Sequence, residues 1–200
     1  MKSHFSLVST LALAVCLIAH ARDADSAEIN CTALTPGPIS EVINPNTKAS
    51  MLISSPSQAA SGFTQNQGTL FFASPAGATG LVGAHQMYNP STNDYFWTIS
   101  SNEVTSAVNN YGYVDRGIGF YVSSAAASCT QPVYRFQSGS MHRFAVNDAD
   151  RNDLTASGWK FEGIMFYGVL PPKPTSDLPA WTRVYSNGFD TALGSEWASL

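Results

Sequence analysis

The feature that most constrains this chain is a set of phrases that occurs three times in the same order. A turn-like phrase at residues 42–47 returns at 87–92 and has a weaker counterpart at 134–139. Each copy then reaches a glycine followed by an aromatic residue and closes on a glycine-led apolar phrase. The glycine-aromatic pairs are Gly62-Phe63, Gly112-Tyr113 and Gly158-Trp159, and the closing phrases begin at Gly68, Gly117 and Gly163. Recurrence at this period is typical of tandem units that bury a shared core.

The second copy shows most clearly how one unit is expected to fold. A polar turn composition lies between Tyr88 and Tyr95 and predicts a hairpin. Ser100 with Glu103 fits a helix capping box, and Gly112 supplies the left-handed stop. We therefore predict a mainly β fold with short helices (α+β), made of three tandem strand-strand-helix-strand units that close with pseudo-threefold symmetry. The units are expected at residues 39–84, 85–131 and 132–170.

The remaining segments are predicted from composition. A short apolar run after Lys2 is typical of a secretory signal peptide at residues 1–21, with an alternative cleavage after residue 27. Residues 22–38 form an N-terminal segment before the single domain at 39–170. A Pro-rich linker is expected at 171–180. The tail at 181–200 either adds a strand beside the first unit or begins a longer region.

The signal predicts a secreted or periplasmic location, where disulfides persist. Removal of the signal leaves Cys31 and Cys129, which we expect to pair; two separate buried thiols are the alternative. The formal net charge of −4 disfavours nucleic acid and anionic membranes as partners. No second long apolar stretch follows the signal, so no membrane insertion is expected. We predict a monomer.

The phrases in residues 40–168 resemble a family of exported bacterial and fungal repeat domains catalogued as a domain of unknown function. The resemblance is strongest in the third copy, at residues 133–136, at His142, at Asp150-Arg151 and at residues 158–164. In the second copy, a tyrosine, Tyr95, stands where the family has a histidine. Members of this family are often attached to secreted hydrolases, and the resemblance thus implies an accessory or adhesive role.

Motifs for catalysis or metal binding are weak. Residues 147–153 suggest a calcium loop, but Asp153 replaces its required glycine and Trp159 its final glutamate. Asp94 and Glu162 are candidates for a glycosidase pair, yet the counterparts of Glu162 in the other copies are Arg116 and Gln67, which favours a surface position. We therefore predict no enzyme activity, no metal and no cofactor.

The remaining signal is aromatic, because Phe, Trp and Tyr make up 12% of the chain. Rings beside amides and carboxylates suit the faces and hydroxyls of sugars. The residues predicted to bind a ligand lie near the second and third hairpins: Tyr88, Asn93, Asp94, Tyr95, Trp97, His142 and Arg143. The leading hypothesis is a non-catalytic secreted module that binds a glycan or cell-surface polysaccharide, or that is accessory to extracellular hydrolysis. The alternatives are a structural or adhesive envelope protein that binds other proteins, and a hydrolase with an unrecognised site.

Overall fold

The computed structural model describes residues 29–171, and this range contains nine strands and two α-helices. In chain order they are β1 (Gly37–Ile43), β2 (Ser50–Ile53), β3 (Gln65–Ala73), β4 (Leu81–Asn89), β5 (Asp94–Thr98), α1 (Ser101–Tyr111), β6 (Val114–Ser123), β7 (Thr130–Ser138), β8 (Met141–Ala145), α2 (Asp148–Ala156) and β9 (Lys160–Val169). Short 3-10 turns lie at Cys31–Ala33 and Pro56–Gln58. The predicted signal peptide, the linker beyond residue 171 and the tail lie outside the described residues.

The strands form two antiparallel sheets. The smaller sheet has the order β2-β1-β3 and the larger sheet has the order β5-β4-β6-β9-β7-β8. In the larger sheet, β6 and β9 are joined through one residue pair, Ser123 with Tyr167. An isolated antiparallel bridge between Ser74 and Tyr121 links the end of β3 to β6. The larger sheet therefore opens between β6 and β9.

The prediction of three strand-strand-helix-strand units with pseudo-threefold closure is wrong. The described residues form mostly β-structure, in one sheet of three strands and one of six, and they contain only two α-helices. The first segment has the 3-10 turn Pro56–Gln58 where a helix was expected. Ser55 caps this turn and Gln58 completes a capping box, so the start signal is present. The following residues, 59–62, carry only small side chains and reach a glycine within one turn, so a longer helix here would bury little apolar surface against the core.

The two helices begin and end at the residue types expected from the sequence. The Ser100 side chain accepts a hydrogen bond from the Glu103 backbone, and Asn147 does the same for Asp150. After α1 the chain turns at Gly112, which has a left-handed φ of 73°. After α2, Gly158 has a φ of 82°. These caps fix where each helix starts relative to the strand before it.

One aromatic core connects the two sheets. Trp97 stacks parallel to Phe120 and meets Phe144 edge to face, while Phe71 of the smaller sheet contacts Phe120 and Phe166 of the larger one. Trp97 is only 1% exposed. Because rings from both sheets share one cluster, the sheets and the clefts between them are held in fixed relative positions.

The predicted disulfide is confirmed. Cys31 and Cys129 form a disulfide between positions that are 98 residues apart in sequence. The bond joins the N-terminal segment to the connection between β6 and β7. A disulfide is consistent with a secreted or periplasmic protein. Within residues 29–171, neither helix has the length and apolar character needed to cross a bilayer.

Candidate functional site

The most chemically varied cleft lies between α1 and the hairpin of β7 and β8. Its volume is about 500 Å³. We call it the Arg135 cleft, and its lining is mainly polar and charged with a few aromatic side chains. The lining residues are Asn89, Phe96, Glu103, Ser106, Ala107, Tyr111, Tyr113, Arg135, Gln137, Gly139, Ser140, His142 and Glu162.

Arg135 is held between two carboxylates. Its Nε donates to Glu162 Oε2 at 2.7 Å, and its Nη2 donates to Glu103 Oε1 at 2.5 Å. The guanidinium lies over the Phe96 ring at 4.9 Å. The side chain is 6% exposed, and among the described residues its Nη1 has no hydrogen-bond partner. A buried donor without a partner is costly, and this nitrogen is closed off from solvent, so its hydrogen-bonding capacity stays unsatisfied.

The charges of this group are mutually stabilised. Burial alone would lower the pKa of Arg135, but the hydrogen bond and charge of Glu103, together with Glu162, raise it above its ordinary value. Burial would likewise raise the pKa of Glu103, but Arg135 outweighs that effect and the pKa is lowered. Glu103 is therefore ionised at neutral pH and is poorly suited to act as a general acid.

Behind these groups lies a fully buried carboxylate, that of Asp94, which positions the residues next to the cleft. Asp94, at the start of β5, has no exposed surface. Its Oδ1 accepts from the His142 backbone at 2.9 Å, and its Oδ2 hydrogen-bonds His142 Nδ1 and the Tyr113 hydroxyl, both at 2.7 Å. Burial raises the pKa of Tyr113, and the Asp94 charge raises it further. Tyr113 is thus a stable hydroxyl donor that connects β5 to the segment between α1 and β6.

The second nitrogen of His142 lies 3.7 Å from Glu162 Oε2. An aspartate-oriented histidine is one part of many nucleophilic sites. Within residues 29–171, however, no serine, threonine or cysteine side chain hydrogen-bonds this imidazole. Each carboxylate of the group is also committed to a donor. The geometry of His142 and these carboxylates therefore favours binding and orienting a ligand over transferring a proton to it.

Tyr111 contributes an exposed ring to the same cleft. It is the last residue of α1 and is 67% exposed. Asn89 Nδ2 donates to its backbone carbonyl at 2.9 Å, which ties the end of the helix to β4. The ring is therefore presented from a fixed backbone position next to charged and amide side chains.

A second, larger cleft lies on the other side of β8, with a volume of about 730 Å³. We call it the Arg143 cleft. Arg143 Nε and Nη2 each donate to a Glu41 oxygen at 2.9 Å, and its guanidinium lies 5.9 Å from the Trp159 ring centre. The first turn of α2 adds Asn147 and Asp150 to the lining.

A third cleft, of about 220 Å³, contains Arg116. This guanidinium lies 4.3 Å from the centre of the Tyr88 ring and 5.6 Å from that of Tyr95. Trp97 also borders the cleft, but it is almost entirely buried. The small volume leaves little room for a ligand beside these stacked groups.

The structure brings some of the predicted ligand residues together and separates others. Asp94 and His142 form one hydrogen-bonded pair, whereas Arg143 lines a different cleft. Tyr95 and Trp97 are core residues, so their ring faces are covered by protein. Tyr88 stacks on Tyr95 at 4.6 Å. Asn93 occupies the β4–β5 turn with a positive φ of 57°.

Glu103, Arg135 and Tyr111, which carry the main chemistry of the Arg135 cleft, were not among the predicted ligand residues. Glu103 was assigned to a capping box, but its carboxylate pairs with Arg135 while only its backbone N–H contacts Ser100. Arg135 lies in the phrase that carries the family resemblance, which was the available signal. Tyr111 follows the helical spacing of the apolar face of α1, although its ring is exposed.

Metal binding has no support in the described range, where no group of three or more His, Cys, Asp or Glu side chains is placed to hold an ion. No curated protein and no solved structure matches the chain. A family model described as a domain of unknown function, DUF5648, matches residues 38–169. Because this match covers more than half of the sequence, the chain belongs to the DUF5648 family.

Proposed function

We propose that this protein is a secreted, non-catalytic module that binds glycans in the Arg135 cleft. The observation that carries the proposal is the exposed Tyr111 ring beside a lining of carboxylates, amides and hydroxyls. A sugar presents an apolar face of C–H groups and an edge of hydroxyls. An exposed aromatic ring next to polar groups matches both surfaces.

The fixed arrangement of the polar groups supports binding. Glu103 and Glu162 each pair with Arg135 through one oxygen, and because their side chains are 33% and 21% exposed, their carboxylates are accessible to sugar hydroxyls. Because these side chains are already held by each other, little conformational entropy is lost when a sugar is bound.

The charge balance of the cleft favours neutral glycans. Asp94, Glu103 and Glu162 bring three carboxylates to one guanidinium, and the chain as a whole has a formal net charge of −4. Polysaccharides rich in uronic acid or sulfate would be repelled. The resemblance to domains attached to secreted hydrolases adds an accessory role in extracellular polysaccharide breakdown to this proposal.

The test is a glycan array, followed by titration of the best neutral glycan into the mature protein with its disulfide intact. We expect Tyr111→Ala to weaken binding by about 10-fold or more, because a stacked aromatic anchor is removed. Val108→Ala is the matched control, since Val108 lies on the same helix and is 43% exposed but does not line the cleft. Equal loss of binding in both variants, or selective binding that Tyr111→Ala leaves intact, would contradict the placement.

A second candidate is a protein-binding adhesive role. It is favoured by apolar residues exposed on the strands that border the opening in the larger sheet. Val114 and Ile118 on β6 and Ile164 on β9 are each between 44% and 50% exposed. Apolar side chains of this size at a surface are typical of contacts with other proteins. A blank glycan array from a well-folded sample would favour this candidate.

A further inference from the structure

The Arg143 cleft uses the same positions of its local elements as the Arg135 cleft. In each cleft the third residue of the strand before the helix lies beside the third residue of that helix: Phe96 with Glu103, and Arg143 with Asp150. In each, a charged residue from a further strand forms an ion pair with one of these two residues. That residue is Arg135 in one cleft and Glu41 in the other.

The chemistry of the Arg143 cleft also suits a sugar. Trp159 is partly exposed and lies beside the guanidinium of Arg143, which is fixed by two hydrogen bonds to Glu41. Further lining comes from exposed or half-buried amide, hydroxyl and carboxylate groups: Gln67, Thr69, Asn147, Asp150, Asp153 and Ser157. An aromatic ring among such groups offers the same two contacts as the Tyr111 side of the Arg135 cleft.

The two clefts are placed so that both can be occupied together. Strand β8 is the element that both share, and successive side chains of a strand point to opposite faces. His142 accordingly lines the Arg135 cleft, and Arg143 lines the other. No lining residue is common to the two clefts, so a ligand in one does not displace a ligand in the other.

We propose that the Arg143 cleft is a second binding site for neutral glycans, which makes each chain bivalent. This inference rests on the proposed function of the Arg135 cleft. Two sites on one rigid domain bind a polysaccharide more tightly than either site alone, because the second contact is intramolecular. A bivalent module remains on a polymer while individual sugar contacts dissociate.

The experiment is native mass spectrometry with neutral tetrasaccharides of glucose, xylose, mannose and N-acetylglucosamine. The wild-type chain is expected to bind two copies of one of them, whereas Tyr111→Ala and Trp159→Ala should each bind one. Trp159 also packs against a small apolar cluster, so the double variant Gln67→Ala and Asp153→Ala, at exposed lining positions, tests the same cleft without removing core contacts. On an immobilised polymer of the same sugar, each single-cleft variant should bind about 10²-fold more weakly than wild type.

The outcomes separate the two proposals. One bound tetrasaccharide in the wild type, lost in Tyr111→Ala and unaffected by both Arg143-cleft variants, would overturn the second site and keep the proposed function. One bound copy that depends on the Arg143 cleft alone would overturn bivalency and the placement at Tyr111. No binding to any of the four sugars would overturn both.

Discussion

At the scale of single residues, the candidate site depends on a buried charge. Asp94 accepts three hydrogen bonds and connects β5, the segment between α1 and β6, and β8. A carboxylate without exposed surface is tolerated because donors surround both of its oxygens. The positions of Tyr113 and His142 in the Arg135 cleft therefore depend on this hydrogen-bond network.

We expect Asp94→Asn to lower the free energy of unfolding by about 1.5–3 kcal/mol, because hydrogen bonds to a charged acceptor are replaced by weaker ones in a buried site. Urea denaturation followed by tryptophan fluorescence measures this change. Asp115→Asn is the control: Asp115 pairs with His85 at 3.0 Å in a partly exposed position, and its loss should cost less than about 1 kcal/mol. Equal costs for the two substitutions would show that the buried network adds no stability.

The residues of the clefts show which parts of a surface site can be predicted from a single sequence. Asp94 and His142 were found because charged residues within hairpin phrases are conspicuous. Glu162 was assigned to a surface position because its counterparts were Arg116 and Gln67, yet these three residues line three different clefts. Sequence comparison relates positions within one chain, whereas a cleft forms between segments far apart in sequence. The pairing of Arg135 with Glu103 could not be predicted for that reason.

At the scale of elements, local signals predicted the hairpin of β4 and β5 and both α-helices. Their turns and caps depend on neighbouring residues, which a sequence displays directly. The 3-10 turn at Pro56–Gln58 carries the same start signal as α1, but only small side chains follow it at residues 59–62. Helix length is decided by packing against the core, and the division of strands between two sheets is decided by long-range pairing. Neither can be read from local signals.

The end of α1 provides a test of local conformation at a position that presents Tyr111. Gly112 has a φ of 73° and enough open space for a methyl group, so Gly112→Ala introduces backbone strain without a clash. We expect a loss of about 1–2 kcal/mol in the free energy of unfolding. Gly37→Ala is a matched control because Gly37 also has open space but no positive φ. It should be neutral or slightly stabilising. Similar losses in both variants would rule out the left-handed conformation as the cause.

At the scale of the whole molecule, the two sheets are connected by few backbone contacts. The isolated bridge of Ser74 with Tyr121 is such a contact, and within the larger sheet a single residue pair joins β6 to β9. Side chains provide the remaining connection, through the aromatic core and through the pair of Arg143 with Glu41, which are 102 residues apart in sequence. The relative position of the two glycan clefts proposed here is thus set by packing, and the Cys31–Cys129 bond adds a covalent constraint at the edge of this assembly.

The disulfide was the long-range contact that the sequence did predict, because only two cysteines remain after the predicted signal peptide. It closes a loop with a sequence separation of 98, and long loops lose the most unfolded-state entropy when they are closed. We expect the double variant Cys31→Ala and Cys129→Ala to lower the free energy of unfolding by about 2–4 kcal/mol. Urea denaturation with and without reductant measures the effect: reductant should destabilise the wild type to the level of the variant and leave the variant unchanged. A variant as stable as the oxidised wild type would mean that apolar packing alone holds the N-terminal segment and both sheets together.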